Sequence, residues 1–198
     1  MSGIMTTDEI RHQLKHKVVG IAGCGGLGSN CAVSLARTGI GRLILVDYDK
    51  LEESNLNRQY FFREQVGMPK ALALRDNIYR IDSRIKVEPH ILELNPENLV
   101  DLFSACDVIV EAFDTDLAKH MIIETVLADM PDKYIISGQG LAGYGNNESI
   151  KTHSAGNLFI IGDGERAVSD DQPPLGPRVA VVANMQANLV LELLLKED

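Results

Sequence analysis

The fold is decided by a glycine-rich stretch that directly follows a short apolar run, VVGIAGCGGLGSNCAVSLART (residues 18–38). The apolar residues 18–22 are rich in valine and isoleucine, which favours a buried β-strand. Gly23, Gly25 and Gly28 then form the pattern G-x-G-x-x-G at the start of a helical segment. A strand, a tight glycine turn and a helix N-terminus together bind phosphate groups. The stretch therefore predicts an α/β domain that binds a nucleotide, although the glycine pattern alone is also compatible with a tight turn that binds nothing.

A second apolar run, residues 43–46, ends in Asp47, nineteen residues after Gly28. A carboxylate in this position accepts hydrogen bonds from the ribose hydroxyls of a nucleotide. Gly26 places two glycines in tandem, which departs from the usual dehydrogenase loop and predicts extra room for a phosphate or a peptide end. Both features assign the first part of the chain to nucleotide binding.

The residues that follow Asp47 favour a triphosphate over a dinucleotide. The segment SNLNRQ contains Asn55 and Arg58, and the planar guanidinium group of an arginine matches phosphate oxygens. Lys70 lies in the first turn of a predicted helix, where a cation is normally unfavourable. A bound polyphosphate would relieve that conflict, and a solvated surface lysine is the alternative.

Asp114 follows the predicted strand 106–111 and therefore lies at the carboxyl edge of a parallel sheet, where open α/β folds bind their ligands. A carboxylate beside a triphosphate is a natural ligand of Mg²⁺. The alternative role for Asp114 is that of N-cap for a helix that starts at Thr115.

Strands and helices alternate along the chain, which predicts a Rossmann-like, mostly parallel sheet flanked by helices. We expect one nucleotide-binding domain over residues 1–198, with an N-terminal helix within 1–16, a short antiparallel extension near the C-terminus, and a mobile crossover loop at 162–178. The predicted strands are 17–22, 42–47, 85–92, 106–111, 134–137, 148–153 and 157–161. The predicted helices are 6–15, 28–38, two that start at Pro69 and Pro96, 115–129 and 177–196.

Net charge and cysteine content limit which partners and which cellular location are expected. The chain of 198 residues carries a formal net charge of −9, which argues against nucleic acid or an anionic membrane as the main partner. Its three cysteines form no C-x-x-C pair, which predicts a reducing, cytoplasmic location and no cysteine-based zinc site.

Five sequence blocks, in order, resemble the ThiF/MoeB/HesA family of the ubiquitin-activating-enzyme superfamily. The resemblance extends over about residues 5–195. The final stretch PRVAVVANMQANLVLELLL resembles a compact ThiF-like subgroup that is associated with thiamine biosynthesis. The five blocks are GCGGLGS at 23–29, VDYD at 46–49, SNLNRQ at 54–59, GMPKA at 67–71 and EAFDT at 111–115.

The resemblance implies an adenylyltransferase that uses ATP and Mg²⁺. It would convert the C-terminal glycine of a ubiquitin-fold sulfur carrier protein with a Gly-Gly tail into an acyl-adenylate, with release of pyrophosphate. By position, Asp47 would hold the ribose, and Asn55 and Arg58 would contact the phosphates. Lys70 would neutralise charge in the transition state, and Asp114 would hold Mg²⁺.

The resemblance also implies a homodimer, because family dimers insert an arginine of the N-terminal helix into the neighbouring site. Arg11 is the candidate for that arginine. Two family features are missing from the sequence: the zinc-binding C-x-x-C pairs, and a cysteine in the crossover loop, since residues 138–178 contain none. We therefore expect no zinc, and a reaction that stops at the adenylate.

Two other interpretations fit parts of the sequence. Gly23, Gly25, Gly28 and Asp47 also permit an NAD-dependent oxidoreductase of Rossmann type, against which Arg58 and Lys70 argue. A binding module that has kept the fold and lost the chemistry is the other alternative. Retention of the whole set of polar candidate residues argues against such a loss.

Overall fold

Seven strands form one sheet with helices on both faces, in a computed structural model that describes residues 5–165, 168–169 and 171–196. The strands are β1 (Val18–Ala22), β2 (Arg42–Val46), β3 (Lys86–His90), β4 (Val108–Glu111), β5 (Tyr134–Gly138), β6 (Lys151–Ala155) and β7 (Leu158–Gly162). The α-helices are α1 (Thr7–Leu14), α2 (Gly26–Thr38), α3 (Lys70–Ile81), α4 (Pro96–Phe103), α5 (Asp116–Asp129) and α6 (Gly176–Leu194). Short 3-10 helices lie at Glu53–Asn55, Arg63–Gln65 and Asn147–Ser149.

The order of strands in the sheet is β3-β2-β1-β4-β5-β7-β6. Neighbouring strands run parallel except β6 and β7, which form an antiparallel pair. The chain moves outward from β1 to β3, then returns to place β4 on the other side of β1. This reversal creates a crevice at the carboxyl ends of β1 and β4, which is where doubly wound folds bind ligands.

Alternate residues of the central strands enter two hydrophobic clusters, one on each face of the sheet. In β2, Leu43 and Leu45 join the cluster that includes residues of α2, α3 and α6, whereas Ile44 and Val46 join the cluster that includes residues of α4 and α5. The strands are thus buried on both faces, and this explains their nearly continuous apolar sequences.

The predicted fold class is confirmed, and the element ends differ by a few residues. Helix α2 begins at Gly26 rather than at residue 28, so two glycines of the loop belong to its first turn. The antiparallel extension is a β6–β7 hairpin, and β7 itself pairs in parallel with β5. Thr6 and Glu9 form a capping box at the start of α1.

Parts of two predicted segments lie outside the described residues. They are residues 1–4 of the N-terminal segment 1–16, and residues 166, 167 and 170 of the crossover loop 162–178. Within the part of the chain that the structure describes, no helix is long and apolar enough to cross a membrane.

Candidate functional site

A cleft of about 770 Å³ opens at the carboxyl ends of the central strands. Its walls come from the loops that follow β1, β2, β4 and β5, together with the start of α3 and α5. Most of the residues that the sequence singled out line this one cleft. They are Gly23, Gly25, Gly26, Asp47, Arg58, Lys70 and Asp114.

The glycine loop requires its glycines for two steric reasons. Gly23 has a φ of +93°, and a Cβ atom there would lie 2.8 Å from the carbonyl oxygen of Ala112. A Cβ atom on Gly28 would lie 1.8 Å from the carbonyl oxygen of Gly23, so this position lets α2 pack closely on β1. Because the N-cap residue Gly25 has no side chain, the first amide groups of α2 remain available to an anion in the cleft.

Gly26 has a different function from the one expected of a tandem glycine. A Cβ atom at Gly26 would lie 2.9 Å from Cγ1 of Val179 on α6 and 3.7 Å from Cγ of Arg58. The space beside its α-carbon is therefore occupied by the protein rather than left open for a phosphate or a peptide end. Gly26 lines the cleft through its backbone and allows α6 to approach the glycine loop.

Asp47 fastens the glycine loop to the end of β2. Its Oδ2 accepts a 2.7 Å hydrogen bond from the amide of Cys24, and its Oδ1 accepts one of 2.8 Å from the amide of Asp49. Burial raises the pKa of the Asp47 carboxyl above its usual value, while the two backbone amides and the Lys70 charge act in the opposite direction. Each carboxylate oxygen keeps a second lone pair, so Asp47 can still accept hydrogen bonds from ribose hydroxyls.

Lys70 lies at the first position of α3, as predicted, and it has a partner that the sequence analysis missed. Its Nζ lies 2.6 Å from Oδ2 of Asp49, and its backbone amide donates to the carbonyl of Asp49. The lysine side chain is 9% exposed, whereas that of Asp49 is 47% exposed. The protein itself therefore supplies an anion that offsets a cation at a helix N-terminus. Asp49 could have been found from its place two residues after Asp47, because it also follows the end of β2 at the carboxyl edge of the sheet.

Arg58 and Asn55 occupy different positions relative to the cleft. Arg58 lines the cleft, and its Nη1 donates to Oδ1 of Asn57 and to the carbonyl of Ser54. The Oδ1 of Asn55 instead accepts a 3.1 Å hydrogen bond from the amide of Glu52, within the loop. Asn55 is not one of the residues that line the cleft, so its predicted phosphate contact stays a prediction.

Asp114 is exposed in the cleft, and the alternative role as an N-cap belongs to its neighbour. Thr115 is the N-cap of α5, and its hydroxyl accepts from the amide of Ala118. The exposed carboxylate of Asp114 is a hard oxygen ligand of the kind that Mg²⁺ takes from a protein when phosphates complete its coordination. Among the residues that the structure describes, no cluster of three or more metal-ligating side chains holds a cation by itself. The residues present therefore fit an ion that arrives with a nucleotide.

Arg11 lies away from the cleft of its own chain. Its aliphatic atoms contact Gly39, the residue that caps the C-terminal end of α2, whereas the cleft lies at the N-terminal end of the same helix. A contribution of Arg11 to catalysis therefore requires a neighbouring subunit.

The three cysteines are buried and lack reactive surroundings. Burial raises the pKa of the Cys24 thiol well above its usual value, with the Asp47 charge acting in the same direction. Burial also raises the pKa of the Cys31 thiol and of the Cys106 thiol to about 12. Because the thiolate is the nucleophile, these surroundings disfavour a nucleophilic cysteine at all three positions.

Sequence reasoning missed two polar features at the cleft. Glu111, at the end of β4, forms an ion pair with Lys119 of α5. Glu111 is the first residue of the EAFDT block, but no local pattern predicts Lys119 as its partner. Gln59 lines the cleft beside Gly25, and its Oε1 is buried without a hydrogen-bond partner among the described residues. A buried amide oxygen in this state is available to a ligand that donates a hydrogen bond.

The sequence and the fold of this chain are similar to those of known proteins. The model of the ThiF family matches residues 3–198. The chain is 31% identical over 188 residues to the adenylyltransferase and sulfurtransferase UBA4 of Yarrowia lipolytica, which covers 91% of this chain and 46% of that protein. It is 39% identical over 121 residues to the probable adenylyltransferase/sulfurtransferase MoeZ of Mycobacterium tuberculosis, which covers 60% of this chain and 31% of the relative. The chain thus spans less than half the length of these relatives.

The fold also matches that of the Escherichia coli tRNA N6-threonylcarbamoyladenosine dehydratase TcdA, solved in complex with ATP. The TM-score is 0.84 at 20% identity, over 94% of this chain and 89% of that chain. At this identity the likeness concerns the fold alone. The family match and the curated relatives establish that the chain belongs to the ThiF family.

Proposed function

We propose that this protein is an ATP-dependent adenylyltransferase that activates the C-terminal glycine of a ubiquitin-like sulfur carrier protein. The proposal is carried by one observation: the glycine loop, Asp47, Arg58, Lys70 and Asp114 line a single cleft. That set combines a phosphate-binding helix end, a ribose acceptor, two cations and a metal-binding carboxylate. The names of the curated relatives, which are adenylyltransferases, support the same activity.

The residues of the cleft have distinct proposed roles. The amides at the start of α2 and the Arg58 guanidinium would hold the phosphates, and Asp47 the ribose. Lys70 would leave Asp49 for the triphosphate, where its charge opposes the negative charge that develops during transfer. Asp114 would bind Mg²⁺, which when bound supplies charge neutralisation at the phosphates. Asn55 remains a candidate for a further phosphate contact.

The reaction needs orientation more than it needs acid–base groups. A carboxylate tail is already a nucleophile at neutral pH, so no general base has to activate it. Its attack on the α-phosphorus forms the acyl-phosphate bond and releases pyrophosphate. We propose that the chemistry stops at this adenylate and that another protein supplies sulfur.

The reactivity of the cysteines tests the proposal that the chemistry stops at the adenylate. We expect Cys24, Cys31 and Cys106 to stay unreactive towards a thiol-specific disulfide reagent at pH 8 in the folded protein, and to react fully after unfolding. Burial raises the pKa of all three thiols, which keeps them protonated. A carrier adduct that resists denaturation in wild type and disappears in Cys24→Ala, while ATP binding persists, would show that the reaction continues beyond the adenylate.

The finer assignment rests on sequence resemblance. We propose a role in thiamine biosynthesis, because the C-terminal stretch resembles the compact subgroup with that association. A homodimer is proposed as well, with Arg11 entering the site of the neighbouring subunit. The fold of TcdA supports testing other acceptors, since a protein named as a tRNA dehydratase has the same architecture.

The decisive experiment is ATP–pyrophosphate exchange with Mg²⁺ and a panel of sulfur carriers that end in Gly-Gly. We expect exchange that depends on one carrier and is lost in Asp114→Ala. ATP binding with no exchange for any carrier would reject the sulfur-carrier assignment.

Measurements of stability test the oxidoreductase alternative, because a ligand at one hundred times its Kd adds about 2.7 kcal/mol to the free energy of unfolding. We expect this gain with ATP and Mg²⁺ and not with NAD.

A further inference from the structure

We propose that Glu111 and Lys119 are positioning residues that hold the turn at 112–114, and with it the Asp114 carboxylate, in the cleft. The inference rests on the proposed function, because it concerns the metal-binding carboxylate of that site. Neither residue is part of the set that sequence reasoning assigned to nucleotide binding. Glu111 lies beneath the wall of the cleft that carries Asp114, and Lys119 lines the cleft itself.

Glu111 is the last residue of β4, and its side chain is fully buried. Four hydrogen bonds converge on its carboxylate. One comes from the backbone amide of Phe113 at 2.6 Å, one from the hydroxyl of Ser137 at 2.5 Å, and two from Nζ of Lys119 at 2.9 and 3.0 Å. The bond to Phe113 is the one that fixes the backbone directly before Asp114.

Lys119 connects this carboxylate to a second strand. Its Nζ also donates a 2.9 Å hydrogen bond to the carbonyl oxygen of Gly138, the last residue of β5. The three protons of the ammonium group are therefore matched by three acceptor atoms. Since Lys119 belongs to the first part of α5, the pair joins β4, β5 and α5 on both sides of the turn.

The same turn also contacts the glycine loop. The amide of Ala112 donates to the carbonyl of Ala22, directly before the glycine loop. The carbonyl oxygen of Ala112 lies so close to Gly23 that a Cβ atom at position 23 would collide with it. A shift of the turn would therefore move Asp114 and disturb Gly23 together. The Glu111–Lys119 pair thus acts on both walls of the cleft through the backbone of residues 112–114.

Directional contacts distinguish this role from simple core stability. A buried ion pair is often replaceable by apolar side chains without loss of stability, so stability alone does not explain such a pair. A carboxylate that accepts from a backbone amide fixes an orientation, which an apolar replacement does not. Partners that orient a metal ligand typically change metal affinity about 10- to 100-fold when they are removed.

The test measures the dissociation constant of ATP by calorimetry, once with Mg²⁺ and once with a chelator. The ratio is the constant with the chelator divided by the constant with Mg²⁺, so a higher ratio means that Mg²⁺ strengthens binding more. Asp114→Asn sets the value expected when the metal-binding carboxylate is lost. We expect Lys119→Met and Glu111→Gln to lower the wild-type ratio about tenfold or more. A loss of affinity that comes only from displacement of Gly23 raises both dissociation constants alike and leaves the ratio unchanged. Lys119→Arg, which keeps the charge and the donors, should retain most of the ratio.

Two further variants protect the test against simple unfolding. Val126→Ala shortens a buried side chain of α5 without touching the network, so it lowers stability and should leave the ratio unchanged. Ser137→Ala removes a single hydrogen bond, so we expect this variant to fold and to lower the ratio about two- to threefold. Circular dichroism and gel filtration establish which variants are folded.

The outcomes separate this proposal from the proposed function. A wild-type ratio of one, or folded Lys119→Met and Ser137→Ala proteins with the wild-type ratio, would overturn the positioning role. A ratio that falls equally in Val126→Ala would also overturn it, because any loss of stability would then suffice. If wild type binds Mg²⁺ and ATP but exchanges no pyrophosphate with any carrier, the sulfur-carrier assignment fails while the ratios still decide the role of Glu111 and Lys119.

Discussion

Lys70 and Lys119 both line the cleft, and each pairs with a carboxylate, but the two carboxylates differ in exposure. Lys70 pairs with Asp49, whose side chain is 47% exposed, whereas Lys119 pairs with Glu111, whose side chain is 0% exposed. Water can solvate Asp49 when its lysine leaves, and no such solvation is available to Glu111. The first pair is therefore exchangeable and suits a ligand-binding cation, and the second is fixed and suits a scaffold.

The largest effect is expected for the exchangeable lysine in catalysis. Lys70→Ala should reduce ATP–pyrophosphate exchange about 10²- to 10³-fold, because a cation aimed at developing phosphate charge is lost. The protein should remain folded, since Asp49 stays solvated. Lys50→Ala is the matched control, as Lys50 is exposed and does not line the cleft. Equal losses in both variants would place the effect in general surface charge rather than in Lys70.

Loss of the lysine should reduce stability more in the fixed pair, Lys119–Glu111, than in the exchangeable pair, Lys70–Asp49. Lys119→Met should lower the free energy of unfolding by about 3 kcal/mol, because it leaves the Glu111 carboxylate buried without its counter-ion. Lys70→Met should cost less than about 1 kcal/mol, since its partner reaches water. Urea denaturation of the two variants measures the difference. Similar costs for both would end the distinction between an exchangeable and a fixed pair.

Removal of the exposed anion should favour the ligand. Asp49→Asn takes away the group that competes with phosphate for Lys70, and we expect ATP to bind about two- to fivefold more tightly, a gain of under 1 kcal/mol. Glu111→Gln gives no such gain, because Lys119 remains bound to the Gly138 carbonyl. Calorimetric titration with ATP measures both. Weaker binding to Asp49→Asn would indicate that Asp49 positions Lys70 instead of competing for it.

A third pair, in which the arginine is exposed and the carboxylate is half-buried, should have the smallest effect. Arg84 donates to both carboxylate oxygens of Asp82 and lowers the pKa of that carboxyl to about 2. A carboxyl whose pKa is lower in the folded state stabilises the protein above its unfolded value of about 3.9, and this contribution is lost as the pH falls towards 2. Asp82→Asn should therefore flatten the pH dependence of stability slightly between pH 4 and 2. NMR titration of the Asp82 carboxyl checks the shift, and an ordinary pKa there would contradict it.

The parallel sheet and most of the cleft were predictable because their signals are local. A glycine turn between a buried strand and a helix fixes the position of the anion-binding helix end. Asp47 directly follows β2, and Asp114 lies three residues after the end of β4. The carboxyl ends of parallel strands meet at one edge, so these residues converge whatever the side-chain details. The wrong expectation, open space beside Gly26, failed because α6 approaches from more than 150 residues further along the chain.

The sequence by itself determined which strands alternate with which helices, and it identified several polar groups of the crevice, namely Asp47, Arg58, Lys70 and Asp114. It could not determine the partners of those groups, because hydrogen bonds depend on distances between segments that only the folded chain brings together. Tertiary structure decided that Asp49 holds Lys70, that Thr115 rather than Asp114 caps α5, and that a buried Glu111–Lys119 pair supports the turn before Asp114. Periodicity and motif spacing record local backbone geometry, whereas burial and charge pairing are properties of the assembled core.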